Sequence, residues 1–121
     1  MSSEITATTT LNLNNGGLRA APSFTKSADQ ATPGALSRKQ TITTSTPQAI
    51  SFTGLTTPRW VMFKNNDATN YITLGPDSTG MVAFARLLAG ESMLFPADPS
   101  VTIKAQAHTA SCDLLISALE T

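Results

Sequence analysis

The stretch Trp60–Gly80, WVMFKNNDATNYITLGPDSTG, is an apolar run broken by a cluster of Asn, Asp and Thr, then a second apolar run that stops at Gly75-Pro76-Asp77. Short runs of strand-forming residues bounded by such clusters are β-strand signals, so the stretch reads as strand, bend, strand, turn. The insert Asn65–Asn70 could instead hold a cation, since oxygen-bearing side chains are what calcium takes as ligands. Its spacing does not fit: an EF-hand loop needs a glycine at position six and a carboxylate at position twelve, and Asp67 is the only carboxylate of the cluster. Asn and Asp also favour bends because their side chains bond to nearby backbone. The insert is therefore expected to be architecture, with Trp60, Val61, Phe63, Tyr71, Ile72 and Leu74 as apolar anchors on either side.

The same punctuation recurs outward from this stretch at intervals of about 8–12 residues, the rhythm of an all-β sandwich or barrel. Candidate strands are Ile42–Thr44, Ala49–Phe52, Trp60–Lys64, Tyr71–Leu74, Met81–Leu87, Ser92–Phe95, Val101–Gln106 and Cys112–Leu119. In Val101–Gln106 the side chains of Val101, Ile103 and Ala105 fall on one face and Thr102, Lys104 and Gln106 on the other, the period of two of a half-buried strand. Met81–Glu91 and Cys112–Glu120 also carry good helix formers, but neighbouring strand signals favour strands there. The expected fold is an antiparallel β-sandwich or jelly roll of eight short strands.

Composition shifts near residue 47. The first 46 residues hold a single aromatic, Phe24, whereas Phe52, Trp60, Phe63, Tyr71, Phe84 and Phe95 follow. Residues 48–121 are accordingly expected to form the domain and residues 1–47 an extended arm with some strand character, as in Ile5–Leu13 before the turn Asn14-Asn15-Gly16-Gly17. At 121 residues the chain has room for one core, burying roughly two-thirds of the surface that the unfolded chain exposes.

Eight basic residues balance eight acidic ones, and only 13% of residues are charged. No electrostatic footprint for nucleic acid or an anionic membrane results, although Arg59, Trp60, Lys64 and Tyr71 make a small basic and aromatic group. Near-zero net charge removes repulsion between copies and suits a subunit of an assembly. No apolar run approaches the ~18 residues of a membrane-spanning helix. MSSEITATTT lacks the basic and apolar regions of a secretory signal, so synthesis in a cytoplasm is expected.

No site for chemistry assembles in the sequence. His108, Ser111 and Asp113 are the residue types of a hydrolytic triad, but there is no Gly-x-Ser-x-Gly elbow and triad members come from separate elements. One histidine without a second His or Cys is a poor zinc site. Gly75–Gly80 lacks the Gly-Lys-Ser/Thr ending of a phosphate loop and reads as a hairpin connection. Cys112, the lone cysteine, begins an apolar strand without a basic neighbour and is expected to be buried and inert. No catalytic residue, cofactor or metal is expected, and the chain reads as a non-enzyme.

Three segments resemble a pattern found in small structural proteins of tailed bacteriophages: W-V-x-x-K-N-x-D-A-T-N-Y-x-x-x-G at Trp60–Gly75, LAGESMLF at Leu88–Phe95 and V-T-x-x-A-x-A-x-T-A at Val101–Ala110. The resemblance runs from about residue 58 to 118 and leaves the arm uncovered. It implies a virion protein of β-sandwich or jelly-roll type, present in many copies and carrying no catalytic residues. The expected role is a capsid decoration or cement protein. Its partners would be the major capsid protein or other virion proteins and further copies of itself as a homo-oligomer, with no nucleic acid and no membrane. Ile5, Leu11, Leu13, Leu18, Phe24, Trp60 and Tyr71 are the candidate subunit contacts. A tail, neck or fibre-base component is the alternative within the particle. A carbohydrate-binding sandwich would need Trp60 and Tyr71 exposed together on one face.

Overall fold

The computed structural model describes residues 4–30, 34–77 and 80–121, and only the backbone of Leu18 and Arg19. Among the described residues there is no helix, and two compact units are formed, residues 1–33 with Thr121 and residues 34–120.

In the first unit, β1 (Ile5–Thr10) pairs with β4 (Ser23–Ala28), and β2 (Leu13–Asn15) with β3 (Leu18–Ala20), all antiparallel. The register does not change between the two ladders, and the N–H of Leu11 to the carbonyl of Pro22 (3.0 Å) carries it across the gap. Residues 5–28 are thus one ribbon folded back on itself, where an extended arm with some strand character was expected. The turn explains the difference: Asn15 pairs with Leu18 around Gly16-Gly17, and Gly16 has φ +58°, the left-handed conformation a two-residue hairpin turn demands.

The register also sorts the side chains. One face carries Thr6, Thr8, Thr10, Ser23, Thr25 and Ser27, with hydroxyl pairs Thr8–Thr25 (3.2 Å) and Thr10–Ser23 (3.1 Å) bonded across the strands. The other face carries Ile5, Ala7, Leu11, Leu13, Phe24 and Ala28, with Thr9 and Lys26 among them. Ile5 and Ala7 are buried on it, whereas Leu11 and Phe24 are each 72% exposed.

The second unit pairs its eight strands in nested order. β5 (Ala35–Ile42) lies against β12 (Cys112–Leu119), β6 (Gln48–Ala49) against β11 (Ile103–Ala107), β7 (Trp60–Asn65) against β10 (Ser92–Pro96), and β8 (Ile72–Pro76) against β9 (Ala85–Leu87). First pairs with last and second with second-last, so the chain is one long hairpin rolled up. Two further ladders, β12 with β7 and β11 with β8, complete the sheets β10-β7-β12-β5 and β6-β11-β8-β9. This antiparallel sandwich has jelly-roll topology.

Alternation supplies the core between the sheets. Along β12 Cys112, Leu114, Ile116 and Ala118 point inward, meeting Val61 and Phe63 of β7, Ile72 and Leu74 of β8, and Ala105 and Ala107 of β11. Phe63 sits among aromatic neighbours, 6.3 Å from Phe52 and 5.5 Å from Phe95 between ring centroids. Each large side chain removed from water here contributes about 1.5–3 kcal/mol. Every member of this core belongs to residues 34–120.

The compact unit starts at Gly34, whereas composition placed the boundary after residue 47. The cause lies in β5, whose inward positions are Leu36, Arg38, Gln40 and Ile42, half of them polar. Arg38 donates to Ser51 Oγ (3.1 Å), and Gln40 donates to the carbonyl of Ala49 (3.1 Å) while accepting from the N–H of Ser51 (3.0 Å). Gln48 returns the arrangement from β6, accepting from the N–H and hydroxyl of Thr43. Glutamine amides thereby stand in for peptide groups where the chain passes from one sheet to the other.

Candidate interaction surface

The polar bend after β7 is held by its own side chains. Asn65, fully buried, donates through Nδ2 to the carbonyls of Asn70 (2.8 Å) and Leu87 (3.0 Å) and accepts from the N–H of Asp67 (3.0 Å). Asp67 Oδ2 accepts from the N–H groups of Asn70 (2.7 Å) and Thr69 (3.0 Å), which hold its carboxyl below the usual carboxylate range. Asn65 Oδ1 and Asp67 Oδ2 are thus turned onto backbone N–H groups of the bend itself. Among the described residues no three His, Cys, Asp or Glu side chains gather as metal ligands.

The triad residue types diverge. His108 bonds through Nε2 to the Thr73 hydroxyl (3.1 Å) and stacks on Tyr71, whereas Asp113 accepts from Thr41 (3.0 Å) and lies 3.7 Å from Lys39 on the other sheet. Burial, then the nearby carboxylates of Asp67 and Asp113, push the Cys112 thiol up, away from a reactive thiolate.

Trp60 and Tyr71, both half-buried, do not share a face. Trp60 opens β7 in one sheet; Tyr71 precedes β8 in the other, with His108 stacked on its ring (centroids 4.7 Å apart) and the Arg86 guanidinium 4.3 Å over it. A sugar platform built on the two rings is not formed.

The connection from β8 to β9 builds a surface instead. Gly75 and Pro76, expected in the turn, continue β8, and past its end Asp77 and Met81 form an isolated antiparallel bridge. Leu74 faces both Ala85, its ladder partner, and Phe84, whose N–H donates to the Leu74 carbonyl (2.9 Å): a β-bulge that divides the expected Met81–Leu87 strand. Gly75 is required because a Cβ there would stand 2.0 Å from the carbonyl oxygen of Val82. The bulged chain presents Val82 (58% exposed) and Phe84 (68% exposed) to solvent.

These side chains border an open groove of about 400 Å³ lined by Pro76, Val82, Phe84, Phe95, Pro96 and Val101. Asp98 stands at its rim, held below the usual carboxylate range by the hydroxyl and N–H of Ser100 and by nearby Arg59. A second depression of about 200 Å³, beside Ile50, Phe52, Leu55 and Pro58, shares Ala97 and Val101 with the first. Compared with protein-family models, characterised proteins and solved structures, the chain matches none.

Of the expected contact residues, Leu11, Leu13 and Phe24 are exposed on the apolar ribbon face, Ile5 is buried on that same face, and Trp60 and Tyr71 are half-buried. The side chain of Leu18 lies outside the described residues. Sequence reasoning missed the groove, whose signal was an apolar Met81-Val82-Ala83-Phe84 run directly after a turn.

Proposed function

We propose that this chain is a non-enzymatic structural protein of a tailed-bacteriophage particle, a capsid decoration or cement protein present in many copies. The observation that carries the reading is the apolar face of the ribbon, bare at Leu11, Leu13 and Phe24, while the sandwich holds a complete core of its own. Isolated two-stranded ribbons are marginal in water. A ribbon with one hydroxyl face and one uncovered apolar face is suited to lie on a partner, apolar side down. The resemblance at Trp60–Gly75, Leu88–Phe95 and Val101–Ala110 and the zero net charge point the same way.

The test is electron cryo-microscopy of the particle, locating the chain and counting it. Hundreds of copies on the outer head surface are expected; a dozen or fewer at the neck or tail would replace the capsid assignment with a tail component, and absence from particles would end the reading.

A further inference from the structure

The asparagines of the chain stand in unequal surroundings. An asparagine side chain is open to attack by the backbone nitrogen of the next residue, provided that nitrogen is uncrowded and not already bonded. Asn65 and Asn66 are each followed by an engaged N–H, that of Asn66 on the Asp113 carbonyl (2.9 Å) and that of Asp67 on Asn65 Oδ1 (3.0 Å). Asn12, Asn14 and Asn70 precede Leu13, Asn15 and Tyr71, whose side chains crowd the nitrogen. Asn15 alone precedes a glycine. It is exposed, and among the described residues neither its side-chain amide nor the Gly16 N–H makes a hydrogen bond. Asn15 and Leu18 form the last pair of a ladder with only three, from Leu13–Ala20 to the turn, and none of its described side chains is buried. Opening such a pair is a low-cost local event.

We propose that Asn15-Gly16 is a site of spontaneous deamidation. The Gly16 nitrogen bonds to Asn15 Cγ and the bond from Cγ to Nδ2 breaks, Nδ2 leaving as ammonia with the proton that Gly16 gives up through solvent. Water then opens the cyclic imide at one carbonyl or the other, leaving aspartate or isoaspartate at position 15. The net reaction consumes one water and releases one ammonia, with no oxidation or reduction. A chain of zero net charge becomes negative. In the isoaspartate form the main chain runs through Cγ and is one carbon longer, so the pair with Leu18 cannot close in its present register. The reaction belongs to the chain alone; it goes beyond the virion reading, and its failure would leave that reading untouched.

The experiment incubates the purified full chain in mildly alkaline and mildly acidic buffer, beside a peptide of residues 11–20, and maps both by mass spectrometry with separation of aspartate from isoaspartate. Position 15 is expected to convert before any other asparagine, faster in alkali because loss of the Gly16 proton drives the attack. The folded chain is expected to lag the peptide by less than about tenfold, the mark of a weakly held ladder end. Asn15→Gln, whose attack would need a larger ring, is expected to abolish conversion at that position. Amide exchange at Ala20 is expected to quicken in the isoaspartate fraction while β12 is unchanged. Conversion of another asparagine ahead of Asn15, a lag of about tenfold or more behind the peptide, or unchanged exchange at Ala20 would each overturn the proposal.

Discussion

Both units of the molecule are antiparallel ladders with alternating side chains, yet one closes on a core and the other does not. In β12 the inward positions Cys112, Leu114, Ile116 and Ala118 are all buried, whereas on the ribbon face burial ends after Ala7 and Leu11 and Phe24 stay exposed. Pairing and period are equivalent in the two units. What differs is a second sheet: the jelly roll supplies one from within its own chain, and the four strands of residues 5–28 form only two two-stranded ladders in one ribbon. Backbone hydrogen bonding is therefore enough to shape a ribbon but not to bury its apolar face, and that face becomes available for a partner.

The comparison breaks first in the sandwich. Phe63→Ala, emptying the space between Phe52 and Phe95, is expected to cost about 3–5 kcal/mol, read from urea unfolding. A loss below about 1 kcal/mol would mean that the core is not as packed as described. Gly75→Ala drives a Cβ against the Val82 carbonyl; the expected loss is about 1–3 kcal/mol, with faster amide exchange at Val82 and Phe84. Asn65→Ala should cost a comparable ~1–3 kcal/mol by leaving the carbonyls of Asn70 and Leu87 without their donor, localised by exchange to the bend.

Acid provides a subtler probe. Glu120 Oε2 accepts from the N–H groups of Thr57 (2.8 Å) and Thr56 (3.0 Å) and from the Thr57 hydroxyl, bonds that hold its carboxyl below the ordinary value of 4.5. A carboxyl with a lowered folded pKa contributes stability that is fully present above its unfolded pKa and lost as pH falls through the folded value. Thermal midpoints of the parent chain should therefore fall below about pH 4.5 more steeply than those of Glu120→Gln, and equal slopes would contradict the assignment. The smallest effect belongs to the ribbon: Phe24→Ser should change the unfolding free energy of the sandwich by no more than ~0.5 kcal/mol, because its side chain is already in water.

Much of this architecture was legible. Trp60–Lys64, Ser92–Phe95 and Cys112–Leu119 sit within a residue of the observed strands, since large apolar side chains at period two leave little other choice. Ala35–Ile42 was not legible beyond its last residue, because Arg38 and Gln40 occupy inward positions and their partners, Ser51 and Ala49, lie across a sheet boundary that periodicity does not report. Ser23–Ala28 was hidden for a related reason: half of its side chains are hydroxyl-bearing, and only the register set by Gly16-Gly17 makes Thr25 the neighbour of Thr8. The groove depends on a one-residue slip at Phe84 and Ala85 that no composition encodes.

The central claim is that residues 34–120 are the folded body and the ribbon the attachment surface. It is tested most directly by removing residues 1–33 and measuring unfolding and capsid binding on the same preparation. The account predicts a cooperative unfolding transition with binding abolished; full-strength binding by the shortened chain, or loss of its cooperative transition, would contradict it.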